Sequence, residues 1–152
     1  MQDLSLHILD LVENSLRAGA KLIGISVVED MERDLLTVEI RDDGKGMDPQ
    51  TCARATDAFF TTKPRRRVGL GLALLALAAK QADGGLHVSS LPQVGTTVRA
   101  IFRRSHPDCK PLGDMSATLE ALVVANPEVD FVYEHRRGAE IARLDTRKVR
   151  QP

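Results

Sequence analysis

Helical and strand patterns alternate along the whole sequence of 152 residues, and this order limits the possible folds more than any single motif does. Apolar residues recur at spacings of three and four from residue 3 to 18, which predicts a helix that ends at Gly19. Two segments rich in aliphatic and β-branched residues follow, at 22–29 and 35–41, and the polar turn between them predicts an antiparallel hairpin. Such a chain can bury the apolar face of its helix by packing it on the sheet.

The alternation continues to about residue 103. The elements predicted here are a short helix at 48–57, a basic loop at 59–68, a helix at 69–82 and strands at 86–91 and 96–103. The predicted fold class is therefore α/β, a two-layer sandwich in which helices cover a mixed sheet.

A segment with two prolines, 105–111, indicates a linker that divides the chain into residues 1–104 and an extension of the same domain, 105–152. The extension is predicted to form a helix followed by a hairpin, in the segments 114–125, 129–135 and 140–145. Its basic end, 147–152, is expected to fray. The sequence leaves open whether this hairpin joins the main sheet or forms a homodimer.

Composition removes several classes of function. The 21 basic and 21 acidic residues cancel, so net charge provides no attraction to nucleic acid, and the few aromatic residues offer no platform for stacked bases. No apolar stretch approaches the ~20 residues needed to cross a bilayer, and Asp3 stands where a signal peptide is basic. We expect a cytoplasmic protein that binds neither nucleic acid nor membrane, in which Cys52 and Cys109 are free thiols.

Polar residues follow one another on the first predicted helix at spacings of three and four. They are His7, Asp10, Asn14 and Arg17. This spacing predicts that they share a face opposite the apolar stripe. For this helix alone, an ordinary solvated face is the preferred interpretation.

Three glycine-bearing motifs follow the helix in a fixed order. The first ends a predicted strand, the second begins a helix, where free N–H groups and the helix dipole suit phosphate, and the third joins two strands. Their residues are Asp42, Gly44 and Gly46; Gly69 and Gly71; and Gly95, Thr96 and Thr97. Each motif alone is compatible with a simple turn, but the ordered set is far more specific.

The set resembles the Bergerat-fold superfamily of gyrase, Hsp90, histidine kinases and MutL over roughly residues 3–103. The segments closest to MutL are LDLVENSLRAGA at 9–20 and IRDDGKGM at 40–47, whereas those similar to histidine kinases are FFTTKP at 59–64 and VGLGLAL at 68–74. The resemblance implies a Bergerat-type ATP-binding sandwich whose ligands are ATP and Mg²⁺.

The resemblance also implies roles for single residues. Asn14 would ligate magnesium, Arg17 would approach the phosphates, and Asp42 would accept a hydrogen bond from the adenine amino group. The base would be lined by Gly44 and Gly46, with Thr96 or Thr97 in the same network. The triphosphate would be covered by a mobile lid over 59–68 and the helix start after it, through Lys63, Gly69, Leu70 and Gly71. A solvated basic loop is an equally simple interpretation of 59–68.

Asp10 stands four residues before Asn14, where hydrolytic members of the superfamily carry a glutamate that activates water. Aspartate is one methylene shorter, so we expect water to be held poorly and hydrolysis to be slow. Glu13 ranks second because the helix turns it roughly 100° from Asn14. His7 is interpreted as a partly buried polar residue and receives no role.

We expect no phosphoacceptor domain before Met1, and the extension is too short for a second domain of typical size. We therefore expect a stand-alone protein that acts on an unidentified protein partner, as a slow ATPase or an ATP-driven switch. The alternatives are a protein kinase that phosphorylates histidine or serine of a partner, and a nucleotide-binding module without turnover. HILDLVENS at 7–15 and PLGDM at 111–115 also resemble small ATP-binding proteins found with iron-only hydrogenase systems.

Overall fold

The computed structural model describes residues 3–46 and 70–149. The elements in these ranges are α1 (Leu4–Arg17), β1 (Leu22–Asp30), β2 (Leu35–Asp42), α2 (Leu70–Gln81), β3 (Gly85–Leu91), β4 (Gly95–Arg103), α3 (Met115–Ala125), β5 (Asp130–Arg137), β6 (Glu140–Asp145) and α4 (Thr146–Val149). The predicted helix over 48–57 and the predicted loop over 59–68 lie outside the described residues.

The six strands form one sheet in the order β3-β4-β2-β1-β5-β6. Four neighbouring pairs are antiparallel, and β1 pairs with β5 in parallel, with Ile25 opposite Tyr133. The hairpin of the extension therefore belongs to the main sheet. The predicted α/β fold with a mixed sheet is confirmed.

The core lies between one face of the sheet and the helices. Alternate residues of β1 and β2 are buried, whereas the residues between them, such as Ser26 and Glu39, stay partly exposed. Leu4, Ile8 and Leu11 repeat at helical spacing on α1 and are buried against this sheet face. The apolar face of the strands, which repeats every two residues, thus packs against the apolar face of the helix, which repeats every 3.6 residues, in a two-layer arrangement.

The end of the extension is attached to β5. Of the segment 147–152 that was predicted to fray, residues 147–149 belong to α4, which follows directly on β6, and residues 150–152 lie outside the described residues, so the fraying stays a prediction. The hydroxyl of Thr146 is buried, accepts from the backbone N–H of Phe131 at 2.8 Å and donates to Asp130 Oδ1 at 3.1 Å. These bonds hold the start of α4 on β5.

Candidate active site

The end of β2 brings three of the predicted site segments together. Because β2 lies between β1 and β4, Asp42 is opposite Ile23 on one side and Thr96 on the other. Residues that are directly opposite in a sheet point to the same face, so Thr96 shares the helix-covered face with Asp42. Thr97 is the next residue along β4 and lies on the other face. Of the two threonines, only Thr96 is therefore placed beside Asp42.

The carboxylate of Asp42 is held by two donors. The Ser15 hydroxyl donates to Oδ2 at 2.6 Å, and the backbone N–H of Gly44 donates to Oδ1 at 2.9 Å. Asp42 itself is half-buried, and Ser15 on α1 is buried. The carboxylate is thus fixed in orientation while each oxygen keeps acceptor capacity. Sequence reasoning missed Ser15. A polar residue next to Asn14, on the buried side of the helix, could have indicated that it contacts the site.

Local packing explains why positions 44 and 46 are glycine, in addition to the ligand role predicted for Gly44 and Gly46. A Cβ at Gly44 would lie 2.9 Å from both the Cβ and the carbonyl oxygen of Ala18, at the end of α1. A Cβ at Gly46, whose φ is +67°, would lie 1.9 Å from the carbonyl oxygen of Leu91. The chain's own backbone therefore requires glycine at both positions. Their predicted contact with the base stays a prediction.

The neighbouring Asp43 binds the backbone at the start of β1. Its Oδ1 accepts from the backbone N–H groups of Lys21 and Leu22, at 2.8 and 3.0 Å. Burial acts to raise the pKa of Asp43, but these hydrogen bonds outweigh it and leave the pKa below its usual value. Of the two adjacent aspartates, Asp43 fixes the start of β1, and Asp42 faces α1.

Polar residues follow the exposed side of α1. Asp10 is exposed, and Asn14 is half-buried. The guanidinium of Arg17 donates through Nη1 to Asn14 Oδ1 at 2.9 Å and lies 3.8 Å from Glu13. An amide oxygen has two lone pairs, so this bond leaves one of them for a further partner. No group of three His, Cys, Asp or Glu side chains that could hold a metal ion occurs within residues 3–46 and 70–149.

His7 departs from the predicted solvated face. Its ring is only 2% exposed, so it lies at the border of the buried side of α1 and not opposite the apolar stripe. Nε2 lies 3.4 Å from Nζ of Lys110, and Nδ1 is buried without a hydrogen-bond partner in the described part of the chain. Burial and the charge of Lys110 lower the pKa of His7, and Asp10 opposes this shift.

The predicted lid is only partly within the described residues. Lys63 and Gly69 lie outside them, and α2 begins at Leu70, followed by Gly71. The helix start thus falls where the G-L-G-L motif predicted it. The roles of these four residues towards phosphate stay predictions.

Comparison with known proteins identifies the family. The model of the histidine kinase-, DNA gyrase B- and HSP90-like ATPases matches residues 2–106. The chain belongs to this family. The match ends two residues into the extension, so the family accounts for α1 to β4 but not for α3 to α4.

Several curated relatives are sensor proteins of bacteria. A putative sensor protein of Shewanella frigidimarina (strain NCIMB 400) is 31% identical over 109 residues, which cover 70% of this chain and 17% of the relative. The sensor histidine kinase YvrG of Bacillus subtilis (strain 168) is 25% identical over 99 residues, which cover 62% of this chain and 17% of that protein. The chain therefore spans less than a fifth of the length of these two relatives.

Solved structures confirm the fold. The N-terminal domain of a DNA repair protein superposes with a TM-score of 0.60 at 18% identity, covering 95% of this chain and 53% of that one. The MutL ATPase domain of Aquifex aeolicus, solved with ADP, has a TM-score of 0.52 at 18% identity and covers 88% of this chain and 60% of that one. Within residues 3–46 and 70–149, no helix is long and apolar enough to cross a membrane.

Proposed function

We propose that this chain binds ATP with Mg²⁺ and acts on a protein partner as a slow ATPase or an ATP-driven switch. The observation that carries the proposal is the oriented carboxylate of Asp42, held by Ser15 and Gly44 on the face of the sheet that it shares with Thr96. An exocyclic amino group is a donor, and a fixed carboxylate oxygen with a free lone pair is a matching acceptor. Family membership and the ADP bound to the similar MutL domain support adenine as the base.

The phosphate end is proposed to lie along the exposed side of α1. Asn14 and Asp10 are one turn apart, about 6 Å along the axis, and Arg17 supplies a cation at the same side. Asn14 fits magnesium because an amide oxygen is a hard ligand and Mg²⁺ takes most of its other ligands from phosphates and water. Magnesium, when bound, neutralises part of the phosphate charge.

Asp10 is the proposed base that accepts a proton from attacking water. Its side chain is exposed, and no hydrogen bond from the described residues orients its carboxylate. A misplacement of about 1 Å costs roughly a hundredfold in rate, so a loosely held base supports slow turnover. A partner that closes over α1 would fix the carboxylate and raise the rate.

Phosphotransfer to a partner is the second candidate, and the names of the curated relatives favour it, since one of them is a sensor histidine kinase. Phosphoryl transfer depends mostly on positioning and charge stabilisation, so one pocket can serve hydrolysis or transfer. Incubation with γ-labelled ATP, with and without cell extract, distinguishes the two. Released phosphate supports the ATPase, a labelled protein supports the kinase, and binding with neither supports a module without turnover.

The substitution Asp42→Asn tests the adenine site by calorimetry with ADP. Asparagine can keep the bond from the Gly44 N–H, and the Ser15 hydroxyl can accept instead of donate, so the fold should persist. The amide NH2 that replaces Oδ2 is a donor, however, so an adenine amino group placed against that atom would meet a second donor. We expect a loss of roughly 1.5–3 kcal/mol, or about 10- to 150-fold in affinity. Asp83→Asn, an exposed aspartate after α2, is the matched control, and equal affinities of all three proteins would refute the site.

A further inference from the structure

The connector between β4 and α3 is bound to the amino end of α1. The backbone N–H groups of Leu4 and Ser5 donate to the carbonyl oxygens of Pro111 and Leu112, at 2.9 and 2.8 Å. The N-cap residue, Asp3, makes no side-chain capping bond, so the connector carbonyls satisfy donors that a helix start leaves free. The connector is therefore fixed to the helix that carries the proposed phosphate end.

Lys110 immediately precedes these two carbonyl residues. It is half-buried, and its ammonium lies 3.4 Å from Nε2 of His7. Within the described ranges, no carboxylate forms an ion pair with Lys110. An ammonium has three donors, so the contact with His7 leaves two for another acceptor. Within residues 3–46 and 70–149, the ammonium of Lys110 thus lies next to His7 and has no carboxylate partner.

The buried ring of His7 is what holds this charge in place. An ammonium can only donate, so Nε2 accepts and Nδ1 carries the proton. That Nδ1–H is buried and has no acceptor among the described residues, which is unfavourable for the folded protein. Packing alone would favour an apolar side chain here. The imidazole instead provides a rigid acceptor for Lys110.

His7 lies in line with the proposed phosphate residues. Seven residues separate it from Asn14, so the two side chains are about 20° apart around the helix and about 10 Å apart along it, with Asp10 between them. Arg17, bonded to Asn14, is the cation at the other end of this row. Two cations therefore bracket Asp10 and Asn14, an arrangement that suits a polyanion.

We propose that Lys110 is a nucleotide-binding residue contributed by the extension, whose ammonium, held by His7, donates to the terminal phosphate of ATP beside Asp10. This inference rests on the proposed function. Lys110 lies beyond residues 2–106, so the family match does not include it. The extension is then part of the site, and it distinguishes ATP from ADP because only ATP carries the phosphate that Lys110 contacts.

Calorimetry of the full chain with ATP and with ADP, each with Mg²⁺, tests Lys110→Gln. We expect ATP affinity to fall about 10- to 150-fold, the loss typical of a hydrogen bond to a charged group, and ADP affinity to change less than about twofold. The matched control is Lys80→Gln, an exposed lysine in the last turn of α2, which should change neither affinity. If Lys110→Gln changes both nucleotides equally or changes neither, the inference is overturned.

Two substitutions at His7 distinguish a role in positioning Lys110 from a role in packing only. A glutamine side chain at this position would still offer an acceptor oxygen to Lys110, whereas a phenylalanine ring would fill the space of the imidazole without one. We expect His7→Gln to keep the ratio of ATP to ADP affinity and His7→Phe to lose it as Lys110→Gln does, with folding checked by circular dichroism. If His7→Phe also keeps the wild-type ratio of ATP to ADP affinity, His7 has a packing role only. If His7→Gln loses this ratio as well, the acceptor does not position Lys110. Either result overturns the positioning role. Failure of the wild type to bind either nucleotide would instead refute the proposed function.

Discussion

The hydrogen bond between Ser15 and Asp42 gives a prediction with a calculable size. Ser15 is 4% exposed, and its hydroxyl lies 2.6 Å from Asp42 Oδ2. A hydrogen bond to a charged group contributes roughly 1.5–3 kcal/mol. Because Asp42 is only half-buried, water can replace part of the lost bond in Ser15→Ala. We therefore expect the lower end of this range, about 1.5 kcal/mol, in the free energy of unfolding measured with urea.

The same substitution should weaken ADP binding, because the freed carboxylate must be oriented again when the adenine binds. We expect a loss of about three- to tenfold by calorimetry, where tenfold corresponds to about 1.4 kcal/mol. Ser26→Ala, the same change on the opposite face of the sheet, should leave affinity unchanged. A double-mutant cycle with Asp42→Asn then shows whether Ser15 acts through Asp42.

In that cycle, Ser15→Ala should cost little once Asp42 is already Asn, which gives a coupling free energy of about 1 kcal/mol. Independent sites add within about 0.3–0.5 kcal/mol. If the two losses in ADP affinity add within that margin, Ser15 does not orient Asp42 for the nucleotide. The role of the Ser15–Asp42 pair in the site would then be refuted.

Three further predictions concern turnover, metal and pH. Asp10→Asn should abolish phosphate release or partner labelling in assays with γ-labelled ATP while ATP affinity is retained, and full activity of this variant would exclude Asp10 as the base. Asn14→Ala should remove the dependence of ATP affinity on Mg²⁺ in calorimetry while adenosine still binds; an unchanged dependence would exclude Asn14 as the ligand. Burial raises the pKa of Glu29, but hydrogen bonds from His135 and Arg104 outweigh it and leave the pKa below 4.5. The folded state therefore binds fewer protons, so urea stability should fall as pH drops below about 4.5, and this part of the fall should be absent in Glu29→Gln.

Local patterns predicted most of the elements in the described ranges. The helix over 3–18 is Leu4–Arg17, and the strands over 22–29 and 35–41 are Leu22–Asp30 and Leu35–Asp42. The bounds of these elements were predictable because they depend on local features of the sequence, namely the spacing of apolar residues and the turn residues beside them.

Contacts between distant segments could not be predicted in the same way. The parallel pairing of β1 with β5 joins residues roughly a hundred positions apart, and the sequence of neither strand predicts which strand it pairs with. The contact of Lys110 with His7 depends on that placement of the extension. His7 was expected to be partly buried and is almost fully buried; its helical position lies at the border between the apolar and polar sides, where the pattern alone does not fix the degree of burial.

The parallel pairing of β1 with β5 also has a consequence for truncated forms of the protein. The family match ends at residue 106, which makes this an obvious place to shorten the chain. A fragment cut there would lose β5 and expose the N–H and C=O groups along one side of β1, including those of Ile25 and Val27. An uncovered strand edge rich in β-branched residues is a template for other chains, so such a fragment would tend to aggregate.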